Sequence, residues 1–422
     1  IKRAPWMPTG HSVSTVFASR MVQWRPEQCF GAILHKGGIV MGSPQAEAAM
    51  KGVPILVMKG QFEEYGPGPS GALRDFEDRE TGWKVTRDTI QRLRAADDNY
   101  LISMLVEGGA THFAWTPEYA AHVAMFVRKA AQKRIPDWPT DAAEPVKCLP
   151  IDPKTGALST LDVANPKAPR AAIHGKFEGK PAEAMWHLDE ELAKLIDQSH
   201  AASMHNKRPQ FVAFADPASG TPVNVAHDMK VKFKLLWTAP GVFKARGIFL
   251  DAPSRKYPPV EGPVGHAPGQ VKLRVYGGQV EQVDAEQFRI KLDPRRKFEA
   301  CLMAYHEGDA TFRYTEQGAI LKLPPKLTAG APQAISFPQV GPLKVGSEPL
   351  KLKASTDAKL PVSYYVESGP AVVEGDVLKI AQVPARAKLP MKIVVVAWQY
   401  GSAVGPEVQS AEPVRQEIVL EK

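Results

Sequence analysis

The sequence predicts a multidomain chain: an α/β layer on a parallel sheet, followed by all-β modules. Three observations carry that expectation. The 422 residues give room for roughly two to four domains, each with its own core. In the first third, short apolar runs alternate with helix-patterned stretches, the rhythm of strand–helix–strand units. Beyond Pro209 the apolar residues alternate with polar ones, and 38 prolines with 33 glycines supply the turns that many short strands need.

Residues 1–136 supply the α/β layer. A helix follows Ser12, then strands at Phe30–Leu34, Val53–Met58 and Leu101–Val106, with a short helix near Gln45–Lys51 and another from Thr86. Thr116-Pro117 opens a last helix, a capping residue followed by proline in the first turn. Residues 137–205 read as a Pro-rich linker with a helical extension over Pro181–Ser199. Residues 206–335 read as an antiparallel β domain in which Gly277-Gly278 turns a hairpin. Residues 336–422 hold roughly seven short strands in about 85 residues, the spacing of an immunoglobulin-like sandwich.

Composition removes several functions. A chain 44% hydrophobic and 23% charged is globular, and no apolar run approaches the roughly 20 residues of a membrane span. The 53 Lys and Arg exceed the 45 Asp and Glu, for a net charge of +8. They are dispersed rather than striped, so no nucleic-acid partner is expected. Cys29, Cys148 and Cys301 are too few for a disulfide framework or a zinc site, and their redox state is left open. His306-Glu307 lacks a second histidine four residues on, and His200 and His205 do not share a helix face. No metal and no cofactor are expected.

Chemistry concentrates in the first 120 residues. Thr9-Gly10-His11-Ser12-Val13-Ser14 leads straight into a helix, a turn that would expose the Ser12 hydroxyl and aim the Val13 amide at a developing oxyanion. Glu63, with Glu64 as substitute, follows the second long strand, and His112 follows the third. A serine, an acid and a histidine in that order, each after a successive β unit, suit nucleophilic acyl transfer.

On these motifs residues 1–136 resemble the C-terminal part of an α/β-hydrolase domain, of the polyhydroxybutyrate-depolymerase and carbohydrate-esterase type. The resemblance implies Ser12 as nucleophile, His112 as general base, Glu63 as the carboxylate orienting it, and Val13 as oxyanion donor, with no chemical role for His11. It implies four or more strands and a second oxyanion loop upstream, in a longer protein. Gln61, Phe62 and Trp115, with Tyr65 and Phe113, would contact the substrate, a mixture suited to short acyl groups on carbohydrate or aromatic alcohols. The segment Leu360–Ala371 resembles bacterial immunoglobulin-like modules, spacers or weak carbohydrate contacts. The expectation is a serine esterase that is secreted, periplasmic or on the cell surface. The alternative is a non-catalytic envelope protein on a degenerate scaffold of the same kind.

Overall fold

A computed structural model describes residues 3–39, 42–61, 81–110, 112, 117–137, 144–223, 230–231, 234–251, 264–293, 296–384 and 387–422. The chain is multidomain and rich in β-sheet, and divides into two compact units. The first comprises residues 1–213, 249–271 and 305–318. The second comprises residues 214–248, 272–304 and 319–422.

The first unit is organised by four parallel strands in sequential order: β1 (Thr9–His11), β2 (Ala32–His35), β3 (Ile55–Gly60) and β4 (Ile102–Glu107). Their registers pair Gly10 with Leu34, Leu34 with Val57, and Val57 with Met104. All six residues of β3 and of β4 are buried, as expected of strands covered on both faces. One face, with Leu34, Val57 and Met104, packs on Ala18 and Val22 of α1 (Ser14–Trp24) and on Ile90 and Leu93 of α3 (Thr81–Ala96). The other, with Ile33, Leu56 and Leu105, packs on Phe126 of α4 (Pro117–Arg134) and on Leu192 and Ile196 of α5 (Glu190–Met204). A shorter helix, α2 (Pro44–Ala48), is capped by Ser43 Oγ, which accepts from Ala46 N–H.

Two helix starts differ from the sequence expectation. Thr86 lies inside α3, 5% exposed, because the apolar face already begins at Trp83. The expected helix over 181–199 begins only at Glu190, where the Asp189 carboxylate accepts from Leu192 N–H. The residues before it form β7 (Ala184–His187), which joins β5 (Ala157–Thr160) and β6 (Ala172–Ile173) in an antiparallel sheet ordered β6-β5-β7. The driving force is burial of Met185, Trp186 and Leu188 in the cores beside the parallel sheet. Trp186, fully buried, donates from Nε1 to Pro153 O.

In the second unit the strands Leu236–Ala239, Val242–Lys244, Gln287–Ile290 and Val280–Gln282 make one antiparallel sheet in that order. Gly278 stands at φ 83 beside it, a conformation open to glycine, and a Cβ there would meet Glu299 O at 1.9 Å. The C-terminal residues form a two-layer sandwich. One layer is Leu343–Lys344, Val414–Glu421, Met391–Trp398 and Ser363–Ser368; the other is Leu350–Lys351, Val377–Ile380 and Ala371–Glu374. Ile393, Val395 and Ile418 from the first layer meet Ala371 and Leu378 from the second in one core. Trp398 is buried at 7% exposure, and Trp237, half-buried, packs on Phe243 and Tyr400.

Candidate functional site

Because β1–β4 run parallel, their C-terminal ends converge on one edge of the sheet, where ligands of such sheets are handled. His11 ends β1, His35 ends β2, Gln61 follows β3 and Glu107 ends β4. The chain then turns at Ser12, which holds φ 57. That left-handed conformation costs a non-glycine residue on the order of 1 kcal/mol and recurs at functional turns.

Local contacts hold Ser12 there. Its N–H donates to His35 O at 2.9 Å, and its carbonyl accepts from Thr15 N–H at 3.0 Å and Thr15 Oγ1 at 2.7 Å. Gly10 lies so close to α1 that a Cβ would fall 2.3 Å from Ser14 O and 2.7 Å from Thr15 N. Gly37 is pressed on the same turn, its Cβ position 2.6 Å from Ser12 O. The turn therefore needs glycine on both sides, one before the serine and one in the loop after β2. The next residue, Val13, is the N-cap of α1, makes no side-chain cap hydrogen bond and is 79% exposed. Its amide thus stands at a helix N-terminus, where partial positive charge favours an anion.

Three histidines, from the ends of β1 and β2 and from the loop after β4, gather at this edge. The His11 ring lies 5.0 Å from the His35 ring and 5.0 Å from the His112 ring, centroid to centroid. His11 Nε2 donates to His112 O at 3.0 Å. The structure thus brings His112 alongside the neighbour of Ser12, across about a hundred residues of sequence. His35 is driven down to about 3, first by burial and then by the nearby Lys36 charge, so it is neutral at ordinary pH. His11 works as the spacer between the other two rings, a part the sequence did not suggest.

Beneath the histidines lies a buried ion pair that sequence reasoning missed. Lys36 Nζ donates to Glu107 Oε2, and both side chains have no exposed surface. Glu107 Oε1 is 3.9 Å from His35 Nε2. Nothing in the local pattern distinguishes Lys36 from a solvated loop lysine, although its backbone holds a left-handed φ of 53. Gln61, expected to face substrate, is 2% exposed: it donates from its N–H to Glu107 O at 3.0 Å and accepts at Oε1 from Gly109 N–H at 2.9 Å. Phe62, Glu63, Glu64, Tyr65, Phe113 and Trp115 lie outside the described residues.

Among the described residues no three His, Cys, Asp or Glu side chains gather as a metal site, and no helix is long and apolar enough to cross a membrane. All three cysteines are free thiols. Burial pushes Cys29 up to about 12 and Cys301 to about 11, which leaves neither as a nucleophile.

No protein-family model matches the sequence, and no curated protein matches it either. Solved structures give weak similarities to cadherin-type extracellular β domains. Drosophila N-cadherin EC1-4 is 13% identical over 36% of this chain and 41% of that one, with a TM-score of 0.17. Human Protocadherin-24 EC1-2 is 9% identical over 36% and 82%, with a TM-score of 0.18. The Protocadherin GammaB4 extracellular domain is 14% identical over 51% and 34%, with a TM-score of 0.17. This chain thus spans two fifths of the N-cadherin fragment's length, and scores this low support no shared function. The α/β-hydrolase resemblance is corrected. No hydrolase family model and no curated relative matches, and short motifs around a serine, an acid and a histidine do not by themselves define a lineage.

Proposed function

We propose that the Ser12 turn is an acyl-transfer site and that the protein hydrolyses short-chain carboxylic esters, on carbohydrate or aromatic alcohols. The observation that carries this reading is the Ser12 backbone at φ 57, on a strand-to-helix turn with an uncapped helix start ahead of it and the His112 ring one histidine away. A serine that merely capped the helix would sit in extended conformation and accept from an amide of the first turn. Ser12 instead adopts a strained conformation one residue before the N-cap position, which Val13 fills without a side-chain hydrogen bond.

In the proposed reaction Ser12 Oγ attacks the ester carbonyl carbon and passes its proton to a ring nitrogen of His112. The Val13 amide donates to the oxyanion that forms. Collapse breaks the bond to the alcohol, which leaves with the proton from His112. Water, deprotonated by the same ring, then releases the acid and restores Ser12. Glu63 is the proposed carboxylate partner of His112, and Phe62 and Trp115 the proposed walls of the substrate cleft. The β-rich modules are proposed as spacers or weak carbohydrate contacts of a secreted, periplasmic or surface enzyme.

The test is hydrolysis of p-nitrophenyl esters. Acetate should be cleaved much faster than octanoate, and Ser12→Ala should lower kcat by about a thousandfold or more, the scale lost with a nucleophile. Equal rates for wild type and Ser12→Ala would remove Ser12 from the chemistry.

A further inference from the structure

The Lys36–Glu107 pair asks for an explanation that stability does not provide. Lysine and glutamate are almost never fully buried, and here both side chains have no exposed surface. A buried ion pair is weak evidence for stability, because desolvation offsets the attraction and a well-packed apolar pair of similar volume often does as well. Lys36 also holds a left-handed φ of 53, a conformation that is costly for a non-glycine residue. The cost is concentrated where the turns after β2 and β4 begin, the first directly following His35 and the second leading to His112.

The connections form one line. Glu107 O accepts from Gln61 N–H at 3.0 Å and from Ala110 N–H at 3.2 Å, so the residue fixes the backbone leading towards His112. Lys36 N–H donates to Met58 O at 2.8 Å, tying the same pair to β3. Lys59 Nζ donates to Gly37 O at 3.3 Å and closes the loop after β2. Glu107 Oε1 approaches His35 Nε2, the His35 ring packs on His11, and His11 both packs on the His112 ring and donates to the His112 carbonyl. His35 thus has the ion pair on one side and His11 on the other, and His11 stands between His35 and His112.

We infer that Lys36 and Glu107 are positioning residues for His112, acting through His35 and His11. The inference rests on the proposed acyl transfer for its purpose, while its geometry can be tested without any reaction. Removing one charge would leave the other buried and unpaired, so the informative variant is Lys36→Met with Glu107→Gln, which removes both members of the pair in one step. His35→Asn is the second variant: it removes the ring that links the pair to His11 and changes no charge.

The experiment is NMR of the full chain with histidine rings isotopically labelled, His112 being assigned by loss of its signal in His112→Gln. The expected result is a His112 ring resonance displaced from the solvent-averaged position in wild type. In Lys36→Met/Glu107→Gln and in His35→Asn it should move towards that average. In the same variants kcat on p-nitrophenyl acetate should fall on the order of 10–100-fold with KM unchanged, the signature of a misplaced base rather than a damaged pocket. An unmoved His112 resonance in either folded variant overturns the inference. A wild type that shows the displaced resonance but no Ser12-dependent hydrolysis retains the positioning line and refutes the acyl-transfer reading instead.

Discussion

Between pH 7.5 and pH 5 the first unit is expected to lose about 6 kcal/mol of stability, about 2 kcal/mol for each of three buried histidines. His35, His187 and His200 are each driven down to about 3, with burial as the first cause. His187 is 0% exposed and His200 2%. His187 Nε2 is engaged with Ser159 Oγ at 2.7 Å, and its Nδ1 has no partner among the described residues, so an imidazolium would bury a donor with no acceptor. His200 Nε2 accepts from Val106 N–H at 3.0 Å, and a proton there would face that amide. In each case the folded form binds its proton more weakly than the unfolded chain, whose histidines titrate near about 6.5. Stability is therefore fully present above that value and drains away as the pH falls towards 3. Urea unfolding followed by tryptophan fluorescence at the two pH values should show the midpoint falling steeply. A midpoint unchanged between them would mean that these rings are not held neutral by the core.

Gly10→Ala should damage both the fold and the site. The added methyl would lie 2.3 Å from Ser14 O and 2.7 Å from Thr15 N, backbone atoms of a helix that cannot rotate aside. Either α1 or β1 must move, and overpacking of this kind costs about 1–3 kcal/mol. Because Thr15 also holds the Ser12 carbonyl, the same movement releases Ser12 from φ 57. Gly38 offers the contrast: a Cβ there meets nothing within 4 Å, so Gly38→Ala should change stability by no more than about 0.5 kcal/mol. Thermal unfolding of the two variants side by side checks this, and equal melting temperatures would contradict the packing argument.

The parallel sheet was legible because strands covered on both faces carry unbroken apolar runs, and Val53–Met58 and Leu101–Val106 lie within one or two residues of β3 and β4. The helix opening at Pro117 was legible for the proline in its first turn and its apolar stripe. The stretch over 181–189 was misread because its acidic run marks the start of α5, while Ala184–His187 is a short buried strand whose partner, β5, lies about 27 residues upstream. Short apolar pieces of that length carry no period of their own.

Within the site, the Ser12 turn was visible in its glycine and in the helix that follows. The histidine stack was not, since His11, His35 and His112 share no spacing and meet only because parallel strands end on one edge. Lys36 and Glu107 were hidden for the same reason. Seventy-one residues separate them, and each reads singly as a surface charge. The family resemblance drawn from the serine, acid and histidine rested on residue order alone, which survives in unrelated chains.

The most direct test of the central claim is covalent labelling of the full chain with a fluorophosphonate, followed by mapping of the modified peptide by mass spectrometry. The account predicts a single adduct on Ser12, formed by wild type and absent from Ser12→Ala. A folded wild type that takes up no label at Ser12, or takes it up equally on other serines, would contradict it.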